Sequence, residues 1–199
     1  VDLQKFAFLN RRELKRPLRL ICVANLIDLK GQDLLIDAAK RLKEKGINCL
    51  LTLVGSGPNE QKLKAQAEKS GIAENVTFTG SLPYEKTASK LKDNDIFIMP
   101  SYYEAFGCVY LEAMSSGLIT VGVKNQGIDE IIKDGENGFL AEPKSVSSIV
   151  SAIERISEMP PEQVSAVSEN ANKTVRSYTW DNSAKQLINV YKKTLGGKN

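Results

Sequence analysis

Short apolar runs alternate with amphipathic stretches six times along the 199 residues, and this alternation restricts the fold more than any other feature. The runs at 18–24 (LRLICVA), 50–54, 76–78, 96–99, 119–123 and 138–141 are apolar on successive residues, as strands buried on both faces must be. Helical stretches follow at 32–45, 58–70, 84–92, 108–116, 128–133 and 146–157, and two more close the chain at 162–175 and 180–195. In the first, Leu34, Leu35, Ala38, Ala39 and Leu42 share one face, and Gly46, Gly71 and Gly117 stand as stops after three of them. Strand and helix in strict alternation, joined by right-handed crossovers, give an α/β fold: a doubly wound, Rossmann-like six-stranded parallel sheet with helices on both faces. Ligands of such sheets lie outside the carboxyl ends of the strands. The loops to inspect are therefore 25–31, 55–59, 79–84, 101–107 and 124–127, which hold most of the glycines and unusual polar residues.

Composition narrows the chemistry. With 42% apolar and 26% charged residues the chain is an ordinary globular one, long enough to bury a core without staples. It contains no histidine. A Ser-His-Asp or Cys-His nucleophile, or a His-containing zinc site, therefore cannot be assembled within it. Cys22, Cys49 and Cys108 sit apart in apolar runs and read as small buried hydrophobes of a reducing compartment. No apolar run reaches 18 residues and no signal peptide is visible, so the expected location is cytoplasmic. Residues 1–70 carry 14 basic against 8 acidic side chains, a balance that suits phosphates or an anionic membrane surface, and equally a solvated helix face.

The segment Ser101-Tyr102-Tyr103-Glu104-Ala105-Phe106-Gly107-Cys108-Val109-Tyr110-Leu111-Glu112 carries the strongest local signal. A strand ends, a polar loop holds Glu104, Gly107 permits a tight turn and a helix begins, whose free amides favour a phosphate. Eight helical residues would set Glu104 and Glu112 about 12 Å apart. That exceeds the roughly 5–9.5 Å of glycosidase carboxylate pairs, so the two would hold opposite ends of a long ligand. Glu112 could accept from a ribose diol; equally, Glu104 could be a helix cap and Glu112 an exposed helix charge. Lys30, beside Gly31, could clamp a phosphate or be a solvent lysine. Gly55-Ser56-Gly57-Pro58 departs from G-x-G-x-x-G at Glu60 and follows the second strand, so it is a weak dinucleotide fingerprint. Asp93-Asn94-Asp95 precedes a strand, on the side away from any ligand, which favours a structural role.

Taken in order, these segments resemble the C-terminal half of the retaining GT-B glycosyltransferases of family four, the group 1 glycosyl transferases. Val1-Asp2 with Phe6 resembles the family's linker. Leu29-Lys30-Gly31 with Asp33, Leu35, Ile36 and Ala38 follows, then Leu53-Val54-Gly55-Ser56-Gly57-Pro58 and Val76-x-Phe78-x-Gly80. Asp95 to Ser101, the E-x-F-G segment with Glu104 and Glu112, Asn137-Gly138-Phe139-Leu140 and Tyr178-Thr179-Trp180 complete the series. The resemblance implies a donor-binding domain for a nucleotide-diphospho-sugar, a UDP- or GDP-sugar first, with no tightly bound cofactor and no metal. It implies that Glu104 contacts the donor sugar and that Ala105, Phe106, Gly107, Cys108 and Val109 present backbone amides. Glu112 takes the ribose, Lys30 neutralises the leaving diphosphate, and Gly55, Gly80 and Leu82 border the base.

Two positions depart from the family pattern. Ala24-Asn25 replaces Gly-Arg, so Asn25 offers hydrogen bonds to the donor but no charge, and Gln126-Gly127 replaces Gly-Gly, adding a side chain where the donor sugar would pass. The expected organisation is a linker remnant at 1–17, a nucleotide-sugar-binding domain at 18–178 and a terminal helix at 179–199 that packs back on a missing N-terminal domain. Together with the start on Val1, this makes the chain an expected piece of a longer glycosyltransferase, inactive alone. Its acceptor, a saccharide or lipid-linked molecule of cell-surface polysaccharide or glycolipid synthesis, would be met by that other domain, with possible contact to a membrane surface. Two other functions fit in part: a non-catalytic nucleotide-sugar-binding or interaction domain, and an NAD-dependent oxidoreductase, which would lack its glycine fingerprint. Nucleic-acid binding by Arg11, Arg12, Lys15 and Arg16 is not expected, because these residues belong to the linker.

Overall fold

The computed structural model describes residues 1–10 and 13–196. Its strands are β1 (Leu18–Val23), β2 (Cys49–Val54), β3 (Val76–Phe78), β4 (Ile96–Ile98), β5 (Ile119–Val123) and β6 (Phe139–Ala141). All neighbours pair in parallel, in the order β3-β2-β1-β4-β5-β6. Buried residues such as Leu20, Ile21, Leu51, Leu53, Phe97, Ile98, Ile119 and Val121 account for the largely apolar runs. The helices are α1 (Gln32–Glu44), α2 (Glu60–Lys69), α3 (Tyr84–Lys92), α4 (Cys108–Ser115), α5 (Val146–Ser157), α6 (Pro161–Val175) and α7 (Trp180–Gly196). The expected sheet and its two helical layers are thus present.

Local chemistry explains the element ends. The Ser145 hydroxyl accepts from the Ser148 N–H and caps α5, whose Ile149, Ile153 and Ile156 are buried. Pro161 opens α6, where its missing N–H costs nothing. Two expectations are corrected. The helix expected from residue 58 begins at Glu60, because the Asn59 N–H donates to the Leu26 carbonyl and its amide to Asp28. The helix expected at 128–133 is a single 3-10 turn, Gly127–Glu130, too short to repay α-helix nucleation and fixed by the Asn125 N–H on Asp129 Oδ2.

The strand order reverses between β1 and β4, which lie side by side (Leu20 against Ile96, Ile21 against Phe97). A crevice opens at such a switch point, at the carboxyl ends of the two strands, because their following connections leave in opposite directions. Before β1, Phe6 is wholly buried in the core, with its ring edge-on to Tyr84 at 5.0 Å and its carbonyl accepting from Ser115 Oγ at 2.6 Å. Arg11 and Arg12 lie outside the described residues, and Arg16 donates to the Ser157 carbonyl. On α7, Trp180, Leu187, Ile188, Val190 and Tyr191 are exposed. No helix among the described residues is long and apolar enough to cross a membrane.

Candidate functional site

At the switch point the loops after β1 and β4 are stitched together. Gly31 has φ +67, and a Cβ there would lie 2.4 Å from the Pro100 carbonyl oxygen, so both conformation and space require glycine. Next to this contact the Tyr102 N–H donates to the Leu29 carbonyl at 2.8 Å. The approach brings Lys30 Nζ to 2.6 Å from Glu104 Oε2, with the two side chains 21% and 15% exposed. Partial burial strengthens this pair beyond an ordinary surface bridge. Lys30 is therefore not a free solvent lysine.

Glu104 is held by its backbone as well. Its N–H donates to Gln126 Oε1 at 2.8 Å, and its carbonyl accepts from the Gly127 N–H at 3.0 Å. A Cβ on Gly127 would fall 1.8 Å from the Ala105 carbonyl oxygen, so only glycine lets the two loops meet. A cavity of about 590 Å³ bordered by Asn125, Gln126, Gly127, Asp129 and Glu130 adjoins this clasp. Gln126, expected to add a side chain in the donor's path, has its side-chain oxygen engaged on the Glu104 amide. This supporting role was not legible in the sequence, where its signal is a polar residue beside a glycine after β5.

Gly107 is the left-handed N-cap of α4, and no side chain caps the helix. Glu104 is therefore not the cap, and the Cys108 and Val109 amides have no preceding helical carbonyl to donate to. Ala105, Phe106 and Cys108 are exposed there, with Gly107 and Val109 half-buried. The combination of free amides and helix dipole favours an anion. Two expectations change at this point. Cys108, expected to be buried, is exposed, because it is the first residue of α4 while Tyr110, Leu111 and Met114 face the core. Glu104 and Glu112 do not share a helix: α4 starts at Cys108, so the all-helical separation of about 12 Å does not apply.

Glu112 is half-buried, and its Oε1 accepts from the Tyr84 hydroxyl at 3.2 Å. Desolvation raises its pKa above the ordinary carboxylate value, with the Tyr84 hydrogen bond and the Val1 amino group opposing that shift. Burial first, and Glu112 second, push Tyr84 up to about 12. The remaining loops form a continuous rim. The Gly55 N–H donates to the Gly80 carbonyl at 2.9 Å, and the Ser56 and Ser81 hydroxyls are 2.8 Å apart. Leu82 is half-buried beside them and Asn25 is exposed, its carbonyl accepting from Gln32 Nε2 at 2.9 Å.

Asp95 sits at the other end of β4, fully buried, accepting from Arg19 N, Nε and Nη2 at 3.2, 3.1 and 2.9 Å. A second cavity, about 530 Å³ and lined by Arg16, Pro17, Asn48 and Asn75, also lies at the amino ends of the strands, away from Lys30 and Glu104. Among the described residues no group of three or more Cys, Asp or Glu could hold a metal ion. Lys30, the uncapped start of α4 and the separately partnered Glu104 and Glu112 thus lie at the carboxyl end of the sheet, a cradle for an anion flanked by hydroxyl-bearing groups.

Residues 6–174 match the profile of the family described as Glycosyl transferases group 1. An uncharacterized glycosyltransferase of Methanocaldococcus jannaschii is 34% identical over 175 residues, which cover 87% of this chain and 44% of that protein. A GDP-mannose-dependent alpha-(1-6)-phosphatidylinositol monomannoside mannosyltransferase of Mycolicibacterium smegmatis is 33% identical over 145 residues, 69% of this chain and 38% of that one. The chain thus spans less than half the length of either relative. In fold, it superposes on Anabaena HepE, crystallised with UDP and glucose, with a TM-score of 0.76 and 23% identity, over 88% of this chain and 48% of that chain.

Proposed function

We propose, from the premise that this chain belongs to the glycosyl transferases group 1 family, that it is the donor-binding domain of a retaining, family-four hexosyltransferase. Its donor is a nucleotide-diphospho-sugar, a UDP- or GDP-sugar first. The observation that carries this reading is the Lys30–Glu104 pair, formed across the switch point beside the uncapped start of α4. Lys30 and the amides from Ala105 to Val109 receive the diphosphate. Charge that develops on the leaving phosphate is stabilised by groups already in place. Glu104 accepts from donor sugar hydroxyls, Glu112 from the ribose diol, and Asn25, Gly55, Gly80 and Leu82 line the nucleoside end. The acceptor, saccharide or lipid-linked, belongs to a second domain, which α7 meets through its exposed apolar residues and to which 1–17 is the linker. The mannosyltransferase named above supports sugar transfer in glycolipid synthesis; polysaccharide synthesis and a cytoplasmic place of action at the inner face of a membrane are part of the same proposal.

Titration calorimetry of the 199-residue chain with UDP, GDP and ADP tests the reading. Binding of one of them without sugar transfer is expected; no binding to any at millimolar concentration overturns it.

A further inference from the structure

Tyr84 ends one of the loops singled out in the sequence, with no role assigned to it there, and its hydroxyl is the one hydrogen-bond partner of the Glu112 carboxylate among the described residues. The phenol is held from two sides. Phe6, wholly buried, meets its ring edge-on at 5.0 Å and 81°, and Lys5 Nζ stands 5.0 Å from the ring centroid while pairing with Glu85 at 3.3 Å. Through its carbonyl Phe6 is bonded to Ser115 of α4, the helix that carries Glu112. The first residue of α3 and the last residue of α4, one turn beyond Glu112, are thereby fixed to each other by one N-terminal bracket. A carboxylate half-removed from water needs a donor to stay ionised and a fixed rotamer to meet a diol squarely.

We propose that Tyr84 is a positioning residue for ribose recognition: its hydroxyl holds one oxygen of Glu112 and leaves the other for the sugar diol, an inference that rests on the nucleotide-sugar reading above. Tyr84 makes this contribution through Glu112 and needs no contact of its own with the nucleotide.

The test compares UDP, GDP or ADP, whichever binds, with its 2′-deoxy counterpart, by calorimetry on the wild-type chain and on Tyr84→Phe, Glu112→Gln and the double variant. The wild-type chain should prefer the ribonucleotide by about tenfold, the size of one hydrogen bond to a charged group. Tyr84→Phe keeps the ring against Phe6 and should bring that preference to about threefold or less. In the Glu112→Gln background it should add nothing further.

A pH series supplies a second readout. The charged or titratable groups around the pair are the Val1 amino group, Asp2 and Lys5 of the N-terminal segment, Glu85 of α3 and Cys108 of α4. None of these is altered by the variant. Tyr84→Phe should move the acid limb of ribonucleotide binding upward, since the hydrogen bond that favours ionised Glu112 is gone, and Glu112→Gln should abolish that limb. If Tyr84→Phe weakens both nucleotides equally and leaves the acid limb in place, the residue is structural and the inference fails. If no nucleoside diphosphate binds the wild-type chain, the donor-site reading fails and takes this inference with it.

Discussion

Lys30 Nζ and Glu104 Oε2 lie 2.6 Å apart although 74 residues separate them in the chain. Each is the other's counterion, so an anion arriving at Lys30 competes with Glu104, and a hydroxyl arriving at Glu104 competes with Lys30. The pair keeps both charges satisfied before any ligand enters.

Competition of this kind makes the two substitutions act in opposite directions on a nucleoside diphosphate without sugar. Lys30→Ala should weaken its binding about tenfold or more, through loss of a charge-assisted contact. Glu104→Gln frees Lys30 and should leave that binding unchanged or tighter, while weakening a nucleotide-sugar. Calorimetry with both ligand types reads this directly; parallel losses in the two variants would contradict it.

Gly127→Ala drives a methyl group against the Ala105 carbonyl and displaces the loop that carries Glu104. A loss of about 1–3 kcal/mol of stability is expected, together with weakened nucleotide-sugar binding. Gln126→Ala removes only one hydrogen bond from the same loop and should cost about 1 kcal/mol. Denaturant unfolding of the two variants separates the steric effect from the polar one.

Glu112 gives stability a pH dependence of known sign. Its folded pKa is raised, mainly by desolvation, so the folded chain holds the proton more tightly than the unfolded one. Stability contributed by the protonated form is present below the unfolded value near 4.5 and declines as pH rises through the folded value. Glu112→Gln should therefore gain stability relative to the wild type as pH rises above about 4.5, read from thermal unfolding across a pH series.

Asp95→Ala strips Arg19 of three hydrogen bonds to a fully buried carboxylate. About 3 kcal/mol is expected, which for a domain of this size lowers Tm by roughly 6–12 °C. Because Asp95 lies at the amino end of β4, nucleotide affinity measured well below Tm should not change.

Cys108 should react alone among the three thiols in the native chain. It is exposed, whereas Cys22 and Cys49 are buried and desolvation pushes them up to about 12 and about 11. One equivalent of an aromatic disulfide reagent should be consumed before unfolding, and a bound nucleoside diphosphate should slow that reaction. Three equivalents in the native state would contradict the burial.

The strands were legible nearly residue by residue. A strand in the middle of such a sheet needs mostly apolar or small side chains in succession, and that requirement is local: 119–123 and 76–78 matched outright, the latter with Thr77 exposed on the edge strand, and 18–24 ran one residue beyond Val23. Partnerships were not legible. Nothing in its flanks marks Tyr84 as the donor to Glu112, because that contact depends on Phe6 filling the core between α3 and α4. Cys108 misled for a related reason: its apolar neighbours belong to a helix whose first residue faces outward, and helical phase, not local hydropathy, decides burial there.

The sequence alone determined the layered α/β architecture, the end of the sheet at which the polar loop residues gather, and the helix start among them. These follow from the periods of side-chain direction and from backbone amides left free at helix starts, both set within a few residues. Only the tertiary structure decided which of those residues meet. Lys30 faces Glu104 because β1 and β4 are neighbours across the reversal in strand order, Glu104 is held because Gly127 lets the loop after β5 close on it, and Glu112 is oriented because a buried phenylalanine ties α3 to α4. Each is a contact between segments distant in the chain, fixed by the packing of the whole sheet.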